Sequence, residues 1–385
     1  MLAIKNALIY TMKDEVIEDG FILMENGKIT AVGKDIDIPL EAEVIDAEGR
    51  MVTPGFVDAH CHLGLFEDSI GFEGSDGNES VDPITPHLRG IDGINPMDIT
   101  FREAYEGGVT TAVTGPGSAN VIGGTFVALK TYGHRVDDMI IKEPVAMKIA
   151  FGENPKRVYN GQKKSPITRM ATAALLRETL YKAKTYLEKK ENPDPTKRPD
   201  FDLKMEALIP VLKKEIPLKA HAHRADDIFT ALRIAKEFDL DITLEHCTDG
   251  HLIAADLAKE GKAAIIGPTF GDRSKYELKN KTFDTPRILH EAGVKIAIMT
   301  DAPVIPLQHL SLCAGLAHKA GLPEMEALKA ITINPAEIVG IDHRVGSIEL
   351  GKDADIVIFD GNPIKDIGAE TYMTIIGGKV VYKAD

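Results

Sequence analysis

The chain is poor in cysteine, lacks long apolar runs and is short of positive charge. Its 385 residues hold three cysteines, Cys61, Cys247 and Cys313. Three thiols make no even disulfide framework and suit a reducing compartment. No apolar run approaches the roughly 20 residues that a membrane span needs, so no membrane partner is expected. The opening Met-Leu-Ala-Ile-Lys-Asn-Ala-Leu-Ile-Tyr has no charged segment leading into a long apolar core and a small-residue cleavage site. A cytoplasmic location is therefore the expectation. Lys and Arg number 45 against 59 Asp and Glu, a net charge of −14. That balance argues against a nucleic-acid partner, because phosphates call for clustered cations. What is present is 44% hydrophobic residues, enough for a large core. The length exceeds a usual single domain unless the fold is an α/β barrel.

The most informative segment is Gly55-Phe-Val-Asp-Ala-His-Cys-His-Leu63. An apolar strand-like run ends in His60 and His62, and residues i and i+2 of a strand share a face. Both imidazoles can reach one metal ion. Alternation turns Cys61 away from them, so it reads as a buried free thiol. Downstream the chain alternates strand and helix. Strands are expected at 109–113, 144–151, 217–221, 242–246, 263–267 and 294–301. Helices are expected at 225–238, with Ile228, Ala231, Leu232, Ala235 and Phe238 on one stripe, and near 251–260. Strand starts recur every 21–31 residues from 217 onward, the βα period of a parallel barrel or a doubly wound sheet. His60, His62, His221, His246 and Asp301 all fall at expected strand C-termini, where a barrel carries its chemistry, which favours the barrel.

The two ends read differently. Phe21–Met24, a turn at Glu25-Asn26-Gly27-Lys28 and Ile29–Val32 form one hairpin, and the stretch from Thr374 forms another that turns at Gly377-Gly378. Residues 1–53 and 346–385 are expected to pair into one small β domain around a middle of 54–345. Within that middle, the Gly-, Asp- and Pro-rich run 63–97 is a candidate lid. Residues 154–200 are a Lys-rich, helical insertion with a solvated charged face. The run Gly115–Gly124 lacks the Gly-Lys-Ser/Thr close of a phosphate loop and reads as a tight loop at the mouth, with Ser118 and Asn120 as candidate substrate contacts.

Together, the His60-x-His62 pair, the strand-end histidines and Met299-Thr-Asp301-Ala-Pro resemble the amidohydrolase superfamily. So do Val52-Thr-Pro-Gly, Thr332-Ile-Asn-Pro-Ala336 and Gly346-Ser-Ile-Glu-Leu-Gly-Lys-Asp-Ala-Asp-Ile-Val357. The likeness is greatest to imidazolonepropionase-like and prolidase-like members. It implies a distorted (β/α)8 TIM-like barrel, a β-sandwich from both termini, and one or two divalent ions, zinc foremost. It also implies ligands at His60, His62, His221, His246 and Asp301. Alternation puts His223 on the same face as His221, and only the resemblance to the strand-five motif favours His221. A bridging group falls to Lys148 or Glu153, the first on an inward face beside Ala146 and Ala150, the second at the strand's end. His223, Arg224 and His251 are candidate substrate contacts, Arg224 for a carboxylate unless it pairs with Asp227. The implied reaction is hydrolysis of an amide-type bond in a dipeptide, an N-acyl amino acid or a cyclic amide, with Asp301 as general base to a metal-activated water. Deamination of a nitrogen heterocycle is the alternative. It is disfavoured because the third position after His221 holds Arg224 and that after His223 holds Asp226, where related deaminases carry glutamate. A small-molecule substrate is the expected partner, and homo-oligomerisation is left open.

Overall fold

The structure, a computed structural model, describes residues 1–13 and 16–385; Asp14 and Glu15, within the N-terminal β-rich stretch, lie outside the described residues. Strands from the two chain ends share one eight-stranded sheet. They are β1 (Leu2–Tyr10), β2 (Val16–Glu25), β3 (Lys28–Gly33), β4 (Glu43–Asp46) and β5 (Met51–Pro54). Eight strands of a second sheet follow: β6 (Phe56–Cys61), β7 (Val109–Thr114), β8 (Ile122–Lys130), β9 (Ile140–Ala150), β10 (Leu218–Ala222), β11 (Ile242–His246), β12 (Ala264–Ile266) and β13 (Ile296–Ile298). β14 (Ile356–Phe359), β15 (Thr371–Ile376) and β16 (Lys379–Lys383) then return to the first sheet, whose order is β16-β15-β14-β5-β1-β2-β3 with β4 beside β1.

Local chemistry explains the terminal sheet. Asn26 and Gly27 both take positive φ, 52° and 76°, as do Gly377 and Gly378 at 56° and 74°. Two positive φ values in a two-residue turn match the twist of the strands they join. The two chain ends meet where β5 pairs antiparallel with β14, Val52 opposite Ile358. Ile4, Ile9, Ile22, Met24, Val52, Ile356, Ile358 and Ile375 form this region's own buried cluster.

In the second sheet the strands follow chain order and close almost completely. At the seam between β13 and β6, Ala330 O accepts from Ile298 N and Ile331 O from Val57 N, both at 2.8 Å. Asp58 crosses the same seam, its Oδ2 accepting from Thr300 N and Oγ1 at 2.9 and 2.7 Å. Strands such as β10 and β11 are buried along their whole length, as strands covered on both faces must be.

The barrel departs from eight parallel strands at one place. β8 runs antiparallel to both β7 and β9. The chain between β7 and β8, residues 115–121, is too short for a parallel crossover, which takes about a dozen residues. The glycine-rich run read as loop up to Gly124 therefore ends earlier, at Val121, and its last residues belong to β8. Glycine is required here: a Cβ on Gly115 would stand 2.5 Å from the Phe126 ring, and one on Gly124 2.3 Å from Leu88 O. Between β9 and β10 the helix Arg169–Lys190 buries Leu176, Leu180 and Ala183 against the barrel, with Thr168 capping Ala171 N at 3.0 Å. The helix Ala225–Glu237 buries Ile228, Ala231, Leu232 and Ala235 of the expected stripe, while Phe238 caps its end half-buried. Among the described residues no helix is long and apolar enough to cross a membrane.

Candidate metal centre

Parallel strands bring their C-termini to one end of the barrel, and the singled-out side chains converge there. His60 lies on β6 with His62 just past it, Lys148 on β9, His221 on β10 with His223 just past it, and His246 at the end of β11. Asp301 follows β13 by three residues. Two groups result. The donor atoms of His60, His62 and Asp301 lie within 4.8 Å of one another, as do those of His221, His223 and His246. Asp301 Oδ1 is 3.3 Å from His62 Nε2 and 3.6 Å from His60 Nε2. The His60 and His246 rings, 5.5 Å apart, connect the groups, and Lys148 Nζ stands 3.1 Å from His60 Nε2.

Alternation alone would send His246 to the opposite face from Glu245. The backbone corrects this, with φ of 73° at His246 and 48° at Cys247. Asp301 likewise has φ 55°. Left-handed backbone is costly for residues other than glycine and is found where a structure holds side chains for a task.

The imidazoles are oriented by acceptors on one side. His60 Nδ1 donates to Glu245 Oε2 at 2.8 Å, His62 Nδ1 to Gly115 O at 2.7 Å and His246 Nδ1 to Gly267 O at 2.8 Å. In each case this leaves Nε2 with its lone pair toward the mouth, the arrangement that acceptors impose on metal-binding histidines. His223 Nδ1 is paired with Thr248 Oγ1 at 2.8 Å. Burial, followed by neighbouring cations and imidazoles, holds His60, His221, His223 and His246 well below the usual histidine range. They are neutral rings, the form that binds metal. Burial also lowers Lys148, to about 7.

A divalent ion fits these residues. His246 Nε2, His221 Nδ1 and Glu277 Oε1 are buried polar atoms without a hydrogen-bond partner. Buried polar atoms are almost always satisfied, so the orphaned His246 Nε2 and Glu277 Oε1 at one end of the barrel ask for a ligand that accepts lone pairs. His221 faces the same group through Nε2, 3.9 Å from Glu277 Oε1. Beside His62 a cavity of about 470 Å³ opens between Leu63, Phe66, Pro303 and Leu307.

Other singled-out residues stand apart from the two groups. Glu153 begins the helix Glu153–Gly161, and its Oε2 accepts from Glu277 N at 3.4 Å. Arg224 pairs with Asp226, at 2.9 and 2.8 Å, while Asp227 is held by Arg169. The expected alternative partner, Asp227, is thus replaced by its neighbour. His251 lies in a short 3-10 turn ahead of the helix Ala254–Glu260, its Nδ1 3.1 Å from Thr285 Oγ1. Asn120 is buried and donates to Glu79 O and Asp82 O at 2.7 Å, pinning the 63–97 loop rather than facing the mouth. Ser118 accepts from Asn154 Nδ2 at 2.7 Å, and that same nitrogen is 3.5 Å from His221 Nε2. Cys61 is buried, its thiol pushed well up by burial.

Sequence reasoning missed three charged residues here. Glu245 accepts from His60 and from the buried Lys219 Nζ at 2.9 Å. Both strands alternate, so a parity count from His221 would have placed Lys219 inward. Glu277 comes from the loop after β12, where no periodicity marks it.

Residues 51–381 match the sequence model of the Amidohydrolase family. The amidohydrolase tasK of Hapsidospora irregularis is 31% identical over 390 residues, covering 93% of this chain. The chain spans only 39% of that relative's length. An imidazolonepropionase of Brevibacillus brevis is 27% identical, over 90% of this chain and 84% of its own. A solved amidohydrolase from Thermotoga maritima MSB8 superposes with a TM-score of 0.96 at 43% identity, over 100% of both chains. A near-closed barrel with clustered histidines at its mouth has a family model running through it from residue 51 to residue 381, and the chain belongs to the amidohydrolase family, hydrolases of carbon–nitrogen bonds.

Proposed function

We propose that this protein hydrolyses an amide-type bond in a small molecule, a dipeptide, an N-acyl amino acid or a cyclic amide, with Asp301 as the general base. The observation that carries the reading is the position of Asp301 Oδ1, 3.3 and 3.6 Å from the Nε2 atoms of His62 and His60, whose Nδ1 atoms are already engaged. His60, His62 and Asp301 would hold one ion, and His221 and His246, with His223 beside them, a second, zinc being the expected metal. When bound, such an ion supplies Lewis acidity toward water and the substrate carbonyl.

The chain's own groups do the rest. Asp301, fixed by its left-handed backbone, takes a proton from the attacking water and returns it to the leaving nitrogen. Glu245 keeps His60 in the Nδ1–H form, so that Nε2 stays available as a lone pair. Lys148, buried against His60, is the better supported bridging candidate, because Glu153 is taken up with the Glu277 backbone. The cavity beside His62 offers apolar walls for a substrate side chain, and His223, Arg224 and His251 are the proposed substrate contacts. Arg224 held by Asp226 supplies no acid, which speaks against deamination. A terminal sheet curled into a sandwich, bounded at 1–53 and 346–385, the 63–97 run as lid, and a cytoplasmic location belong to the same reading.

The test is a panel of dipeptides, N-acyl amino acids, lactams and hydantoins on zinc-loaded protein. Cleavage of an amide with release of a carboxylate supports the proposal. Ammonia released from a nitrogen heterocycle, with no amide cleaved, overturns it.

A further inference from the structure

Between β12 and the helix Thr285–Glu291 the chain is a largely exposed loop, and in residues 268–280 one side chain is buried, Glu277 at 1% exposure. Its Oε2 accepts from Glu153 N at 2.9 Å. Its Oε1 has no hydrogen-bond partner. The polar atoms facing Oε1 are Lys275 Nζ at 3.5 Å, His223 Nε2 at 3.7 Å and His221 Nε2 at 3.9 Å. A carboxylate oxygen removed from water with no donor is unfavourable unless a cation faces it. Lys275 Nζ faces Oε1 from 3.5 Å without hydrogen-bonding it, and the neutral imidazoles present lone pairs from the same side, so Oε1 sits among acceptors with a single nearby cation.

The surrounding backbone is shaped to admit this carboxylate. Gly152, at φ 80°, could not carry a side chain, since a Cβ there would stand 2.7 Å from Glu277 Oε2 and 3.1 Å from Asp227 Oδ2. Glu153 and Glu277 exchange backbone and side-chain hydrogen bonds, fixing the loop to the start of the helix Glu153–Gly161. In a tetrahedral site with bonds of about 2.0–2.2 Å, donor atoms stand on the order of 3.3–3.6 Å apart. Oε1 is a few tenths of an ångström beyond that from two of the imidazoles.

We propose that Glu277 is the carboxylate donor that completes the cation site of His221, His223 and His246, and that filling this site fastens the 268–280 loop over the barrel mouth. The inference rests on the metal-dependent reading above and adds to it a ligand from outside the strand ends. It also makes the loop a reporter of occupancy. Arg273, Lys275 and Lys279 are tryptic sites within it, with Arg273 and Lys279 exposed.

The experiment is cobalt(II) titration of the full chain, wild type against Glu277→Gln, followed by absorption and by trypsin cleavage within 268–280. Gln keeps an acceptor for Glu153 N and removes the charge; Glu277→Asp, which keeps the charge at shorter reach, is the second variant. Wild type should bind two ions and gain protection of the loop on loading. Glu277→Gln should bind one of them at least tenfold more weakly and lose the protection, and Glu277→Asp should fall between. A Gln variant equal to wild type in cobalt affinity, spectrum and protection overturns the assignment while leaving the metal-dependent reading intact. Wild type that binds no divalent ion overturns both.

Discussion

Two buried polar regions of this molecule are built on opposite terms. Where the terminal sheet meets the barrel, the buried carboxylates Asp353 and Asp355 are ion-paired. Asp353 Oδ2 receives Lys130 at 2.9 Å and Arg344 at 2.8 Å, its Oδ1 receives Lys28 at 2.7 Å, and Asp355 also pairs with Lys130. At the barrel mouth, His246 Nε2 and Glu277 Oε1 are buried without a hydrogen-bond partner. Ion-paired buried carboxylates hold elements together, whereas ring nitrogens gathered at strand ends with free lone pairs can take a cation. The same motif that carried the resemblance, Lys352-Asp-Ala-Asp355, thus serves the joint between sheet and barrel rather than the chemistry.

The largest effect that would test this contrast is at the joint. Removing residues 346–385 deletes β14, the partner of β5, and the Phe359 ring stacked 5.3 Å from Phe56. The expected outcome is loss of soluble, folded protein through exposed strand edges, read by size-exclusion chromatography. A truncated chain that stays folded and monodisperse would break the comparison on its structural side.

On the functional side, Asp301→Asn keeps size and one oxygen but removes the proton acceptor. kcat should fall by about 10²–10⁴-fold with chemistry limiting, and metal content measured alongside separates lost base from lost ligand. Metal retained with a rate within a few-fold of wild type would remove Asp301 from the mechanism.

Asp353→Asn should cost about 1–3 kcal/mol in denaturant unfolding, since it removes one charge partner of the largely buried Lys130 and the partner of the more exposed Lys28 and Arg344. Burial raises the Asp353 carboxyl, and Lys130, Lys28 and Arg344 outweigh burial, holding it at about 2. The unfolded value is higher, about 3.8. Its contribution is therefore fully present above about pH 4 and fades as pH falls through 2, and the variant's stability should be flatter across that window. Equal slopes in the two proteins would show that the joint does not carry acid sensitivity. The smallest effect is at Arg224→Ala, which should change stability by no more than about 0.5 kcal/mol while raising KM for carboxylate-bearing substrates over neutral analogues.

Much of this arrangement was legible in the sequence, for definite reasons. Strand alternation at His60 and His62 needs only local backbone, and Asn-Gly and Gly-Gly turns state their own conformation. Other features were not local. No strand is expected at 122–130 from the sequence; β8 runs reversed because residues 115–121 are too few for a parallel crossover, and Gly115 and Gly124 permit the close approach to Phe126 and Leu88. His221 and His223 share a face by parity, and both reach His246 because positive φ at His246 and Cys247 turns the strand end. Glu277 is one acid in a polar loop until the barrel closes around it. Lys148 and Glu153 stand equal in the sequence, and only the fold gives Glu153 a backbone partner at Glu277 and sets Lys148 beside His60.

The contrast between paired and unpaired polar groups is tested most directly by elemental analysis of wild-type protein purified without chelator. The account predicts one to two divalent ions per chain, removed by chelation together with amide hydrolysis and restored together by zinc. Protein that carries no divalent ion and hydrolyses its substrate at full rate would contradict it.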